Sequence, residues 1–92
     1  MTPSQAEGFA VEVLGWLAED HARIGAFLAG SGLSPGALRE AVSEPAFLLA
    51  VLEFLMADEA MLLACCGALD APATMPAAAR AALPGGAEVH WT

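Results

Sequence analysis

Residues 44 to 69, EPAFLLAVLEFLMADEAMLLACCGAL, are apolar at almost every position, yet Glu53 interrupts the first half and Asp58-Glu59 the middle. Such a stretch crosses a bilayer, fills a core or waits for a partner. A spanning helix needs about 20 consecutive apolar residues, and the longest runs here are Pro45 to Leu52 and Ala60 to Leu69. Each charge at a bilayer centre costs roughly 2.5 to 3.5 kcal/mol on insertion scales, which argues against a continuous span. Two helices meeting at Ala57-Asp58 account for the pattern better. Asp58 suits an N-cap whose carboxylate accepts orphan amide protons, and Glu59 in the first turn complements the positive helix end. Glu44-Pro45 opens the preceding helix, because proline at the first helical position loses no intrahelical bond. The reading is one helix over 45–57 and another over 59–69. On the first, Phe47, Leu48, Val51, Leu52, Phe54 and Leu55 wrap almost the whole circumference and leave Glu53 at a wet edge, the pattern of a central, buried helix.

The same punctuation recurs along the chain. Thr2-Pro3-Ser4-Gln5 reads as a capping box that opens a helix to about Glu19. Ala6, Phe9, Ala10, Val13, Trp16 and Leu17 form its apolar face, and Gly8, Glu12, Gly15 and Glu19 fall opposite. Asp20 caps a short helix that turns Ile24, Phe27 and Leu28 inward and stops at Gly30-Ser31-Gly32. Ser34-Pro35 opens another, with Leu38, Ala41 and Val42 inward. Thr74 caps a last alanine-rich helix that ends at Pro84-Gly85-Gly86. With 58% hydrophobic residues, much of that count alanine, and no tyrosine, the chain has the composition of a folded all-α domain. Ninety-two residues support one core. The expected architecture is a compact bundle of five or six short helices over 1–86, with 87–92 as a C-terminal tail, loose or docked.

Placing VLGWLAEDHARIGA (13 to 26) over VLEFLMADEAMLLA (51 to 64) matches Val13 with Val51, Leu17 with Leu55, Asp20 with Asp58 and Trp16 with Phe54. Both read as helix, acidic cap, helix. A structural repeat here implies two similar helical hairpins related by an approximate two-fold.

Charge narrows the partners. Eleven acidic residues face three cations, all arginine (Arg23, Arg39, Arg80), for a net charge of −8. Nucleic-acid phosphates and anionic lipid surfaces are repelled by such a chain. The absence of lysine beside abundant Ala, Gly, Pro and Arg fits a GC-rich bacterial genome. MTPSQAEGFA lacks the basic and apolar regions of a signal peptide, so the expected location is cytoplasmic. Cys65 and Cys66 are adjacent, and neighbouring helical side chains point about 100° apart, which disfavours a disulfide between them.

FLAGSGLSP (27 to 35), LREAV (38 to 42) and EPAFLLAVLEFLMADEAMLLA (44 to 64) resemble small bacterial proteins, found mainly in alphaproteobacteria, that are grouped as domain of unknown function 3572. The likeness covers about residues 5 to 84. It implies a compact helical cytoplasmic protein with no established activity, and so offers no catalytic residues to carry over.

Chemistry has few candidates. Cys65 with His21 or His90 would make a thiol and imidazole pair, and the alternative reading is a thiol-dependent enzyme or redox protein using Cys65 or Cys66. There is no nucleophile elbow or oxyanion-hole glycine pattern, and burial of a cysteine as a small apolar side chain is the ordinary outcome. Glu19-Asp20 and Asp58-Glu59, with His21, would gather as metal ligands only if the two hairpin turns met. Zinc spacings and a calcium loop are missing, and N-caps explain these acids. No cofactor or metal is implied. Residues 28–42 have the outline of a helix-turn-helix, a DNA-binding alternative disfavoured by LREAV with its single arginine and by the net charge. What remains is association with a protein partner or with itself. Met61, Leu62 and Leu63 cannot all point one way on a helix, so apolar surface is left exposed. Met56, Met61, Leu63 and Trp91 are its candidate residues, and a basic partner suits the surrounding acids.

Overall fold

In a computed structural model of the chain, the described residues are 1–32, 34–41 and 44–84, without the side chains of 35, 38 and 39. The inward placement of Leu38 and Val42, the Gly85-Gly86 stop, His90, Trp91 and the 87–92 tail lie outside that description. Among the described residues there are six helices and no strand: α1 (Pro3–Ala18), α2 (His21–Ser31), α3 (Pro35–Ala41), α4 (Pro45–Met56), α5 (Glu59–Ala68) and α6 (Met75–Ala82). None of them is long and apolar enough to cross a membrane.

Each boundary has a local cause. Thr2 Oγ1 accepts from the Gln5 amide at 3.1 Å and Gln5 Oε1 accepts from the Thr2 amide at 2.9 Å, a reciprocal capping box at the start of α1. Asp20 Oδ1 accepts from the Ala22 and Arg23 amides at 2.8 and 3.1 Å. Asp58 Oδ1 accepts from the Met61 amide at 3.0 Å, and Ser34 Oγ accepts from Ala37 at 3.3 Å. The long apolar stretch is thus split where an aspartate competes successfully for backbone donors. Thr74 is a correction: it has αR angles (φ −83°, ψ −11°) and makes no side-chain cap. A side-chain cap needs the extended backbone that Thr2, Asp20 and Asp58 adopt. The Pro72 carbonyl instead accepts from the Met75 amide at 2.9 Å.

Among the described residues, two helix ends use left-handed backbone. Gly32 closes α2 with φ 74°, and its amide donates to the Leu28 carbonyl at 2.9 Å. Past the end of α5, Asp70 has φ 55°. The Ala71 amide reaches the Cys66 carbonyl at 2.8 Å and the Asp70 amide the Gly67 carbonyl at 3.4 Å. This is a Schellman pattern with aspartate in the place glycine usually fills.

The core centres on α1, α4 and α6, which pack on one another, while α2 lies against α1 and α4, and α5 against α4. Ala6, Ala10, Val13 and Leu17 of α1 are fully buried, as are Val51, Leu52 and Leu55 of α4 and Ala79 of α6. The alanines of α1 and α6 let those two backbones approach closely, so little side-chain volume still excludes water between them. Phe27 is the only buried residue of α2. Its ring meets Phe47 and Phe54 edge-on, with centroids 5.6 and 5.3 Å apart.

The matched segments fold into matched turns. Glu19 and Ala57 hold nearly the same angles (φ −72°, ψ −13° and φ −75°, ψ −14°), and so do Asp20 (φ −131°, ψ 122°) and Asp58 (φ −127°, ψ 101°). The packing is unequal, however: α2 leans on α4, and α5 has no comparable contact with α1. At the alignment offset of the two segments, Cys65 stands where α2 has Phe27. A thiol cannot bridge the gap that an aromatic ring spans.

Candidate functional site

Both thiols are inside the protein. Cys65 has no exposed surface and Cys66 retains 3%. Burial, then the neighbouring Cys66, pushes the Cys65 thiol up to about 11, and burial also raises Cys66. A thiol kept protonated and covered is a poor nucleophile at neutral pH. His21 lies on the surface. Among the described residues no polar or charged side chain is buried, so none of them occupies the desolvated surroundings that tune an acid or base.

Asp20 and Asp58, at the two hairpin turns, are committed to backbone amides. Asp20 is held below its ordinary value of 3.8 first by the Arg23 amide and then by the Ala22 amide. Among the described residues no three His, Cys, Asp or Glu side chains gather as metal ligands would. Two arginines have intramolecular partners. The Arg23 guanidinium lies 3.7 Å from the centre of the Trp16 ring and donates through Nη1 to the Trp16 carbonyl at 3.2 Å. Arg80 Nη2 pairs with Glu53 Oε2 at 3.0 Å. That pair joins residues 27 apart in sequence, and only the isolation of Glu53 on an apolar helix hinted at it.

The expected apolar surface is sorted by α5. Met61 and Leu62 are half-buried and pack on the core, whereas Leu63 is 52% exposed. Met56 is half-buried beside Glu53, Ala57 and Arg80. Leu63 shares the outer side of α5 with Ala60, Ala64, Gly67 and Ala68, all exposed. Their spacing of i, i+3, i+4, i+7 and i+8 defines one continuous stripe of a helix. Nothing charged interrupts it. Asp58 and Glu59 stand at its amino-terminal end and Asp70 at its carboxy-terminal end, all exposed.

Two of the hollows among the described residues lie away from this stripe. One of 590 Å³ runs along α1 and the start of α6, lined by Met1, Gln5, Gly8, Phe9, Glu12 and Met75. The other, of 320 Å³, lies between α2 and α4, lined by Phe27, Gly30, Ser31, Ala50, Glu53 and Phe54. In the first, Gln5 is already engaged by the capping box. In the second, an aromatic wall meets the Glu53 carboxylate.

Residues 3–86 match the model of a family described as a protein of unknown function (DUF3572). No curated protein and no solved structure matches the chain.

Proposed function

The chain belongs to the DUF3572 family, and from its surface we propose that it is a non-catalytic association module whose α5 stripe docks an apolar, basic-flanked helix of a protein partner. The observation that carries this is the uninterrupted exposed row Ala60, Leu63, Ala64, Gly67 and Ala68 with acids at both ends. Small side chains allow a partner backbone to come close, and Leu63 supplies a knob for its groove. Glycine at 67 keeps the approach open, since a Cβ built there meets no atom within 4 Å.

Charge selects the partner. An antiparallel α5 pair between two copies sets Asp58 and Glu59 of one against Asp70 of the other, in molecules each carrying −8. Arg23 and Arg80 are held by Trp16 and Glu53. Lysines or arginines flanking a partner helix relieve the acids that a second copy would repel. A ten-residue helix spans about 15 Å, so the contact belongs with small, transient interfaces.

The test is fluorescence anisotropy with two synthetic helical peptides that share a Leu/Ala face, one flanked by lysines and one by glutamates. The lysine peptide binds, Leu63→Glu weakens it by about tenfold, and helix content and Tm of the variant stay at wild-type values because Leu63 is exposed. Equal binding of both peptides, or an unaffected Leu63→Glu variant, refutes the reading. Light scattering across dilution reports self-association, which would replace the basic partner with a second copy.

A further inference from the structure

The hollow between α2 and α4 involves none of the α5 stripe and has its own chemistry. Its volume of 320 Å³ falls at the small end of ligand pockets, about 300 to 1,000 Å³. Phe27 and Phe54, in edge contact at 5.3 Å, form its wall. Gly30 and Ala50 keep it open, and a Cβ built at Gly30 meets no atom within 4 Å. Glu53 and Ser31 are the polar groups lining it. Glu53 Oε2 holds Arg80, whereas Oε1 makes no hydrogen bond among the described residues. Both side chains of that pair are substantially exposed, at 41% and 50%. Such a pair is weak, and an incoming cation shares the carboxylate or displaces the guanidinium.

These features select one ligand class. An apolar body lies against the aromatic wall, and a cation satisfies Glu53. An anion meets both the carboxylate and the overall charge of −8. We propose that this hollow is a binding site for a small primary amine: an ammonium carried on a short aliphatic or aromatic body, with its charge at Glu53 and its carbon chain against Phe27 and Phe54.

The experiment is an amide-resolved NMR titration of the whole chain with three probes of equal length: n-hexylammonium, 1-hexanol and hexanoate. Hexylammonium shifts the amides of Gly30, Ser31, Ala50 and Glu53 with a Kd on the order of 1 mM, as suits a ligand of so few atoms. Hexanol binds about threefold more weakly, as expected for loss of one exposed ion pair, and hexanoate leaves those amides unmoved. Glu53→Gln weakens hexylammonium by about threefold and leaves hexanol unchanged. Arg80→Gln removes the competing guanidinium and strengthens hexylammonium. The opposite signs of these two exposed substitutions separate a charge-selecting site from an apolar dent. Gly30→Leu fills the hollow and abolishes the shifts, with helix content checked by circular dichroism. Equal affinity for hexanol and hexylammonium overturns the assignment, as does indifference to both Glu53→Gln and Arg80→Gln, or an absence of shifts at these amides.

Discussion

Replacing Phe27 tests how α2 is attached. It is the one buried residue of that helix, 2% exposed, and its ring is gripped edge-on by Phe47 and Phe54. Ile24 and Leu28 of the same helix are only partly buried against the core. Phe27→Ala removes the ring and leaves a cavity, which costs about 3 to 5 kcal/mol. Phe27→Leu keeps most of the volume but loses two aromatic contacts of about 0.5 to 1.5 kcal/mol each, so the expected loss is about 1 to 3 kcal/mol. A domain of this size has a stability of roughly 5 to 14 kcal/mol. At about 4 to 8 °C per kcal/mol, Phe27→Leu lowers Tm by roughly 4 to 24 °C, and Phe27→Ala by more. Urea unfolding followed by circular dichroism gives the difference directly through the midpoint at constant slope. Hydrogen exchange adds a local readout, because α2 amides lose protection before those of α1 and α4 once the anchor is gone. Two results refute the reasoning: a Phe27→Leu loss below about 0.5 kcal/mol, or α2 amides as protected in Phe27→Ala as in the wild type.

Asp70→Gly removes both a side chain from a left-handed position (φ 55°) and a negative charge from the carboxy-terminal end of α5. It raises stability by about 0.5 to 1 kcal/mol in urea unfolding, and a loss would show that the Asp70 side chain contributes something the backbone geometry does not. The folded Asp20 carboxyl titrates below its ordinary value of 3.8 because backbone amides donate to it. Its stabilisation is therefore present above the unfolded value and lost as pH falls through the lower folded one. The stability difference between wild type and Asp20→Ala accordingly shrinks as pH falls below about 4, and a difference constant through that window counts against the cap. Cys65, held up at about 11, and Cys66 are buried, so iodoacetamide at neutral pH modifies both far more slowly in the folded chain than in urea. Rapid native labelling of either thiol would restore the thiol-enzyme reading.

Local chemistry was legible in the residues because it depends on a few neighbours. Asp58 divides the apolar stretch and Thr2 with Gln5 closes a capping box, since an acceptor three residues ahead of an amide needs no distant partner. The face of α1 was also readable, because glycine and glutamate mark its wet side. The turns at Glu19-Asp20 and Ala57-Asp58 repeat in backbone angle as their sequences repeat.

Other features required the tertiary structure. α5 is apolar on every side, so no pattern in its sequence says which side faces water. Cys65 joins the core and Met61 and Leu62 pack against it, so Leu63 is left outside by subtraction. Thr74 has the residue type of a cap and the wrong backbone, and Asp70 takes a left-handed angle that its type does not announce. The Glu53–Arg80 pair and the hollow beside it exist because α6 and α2 both pack against α4. Sequence alone determined where this chain turns and that it is helical, since capping is decided within four residues. Which apolar faces are covered, and which stay exposed, was decided only when the helices competed for the same buried space.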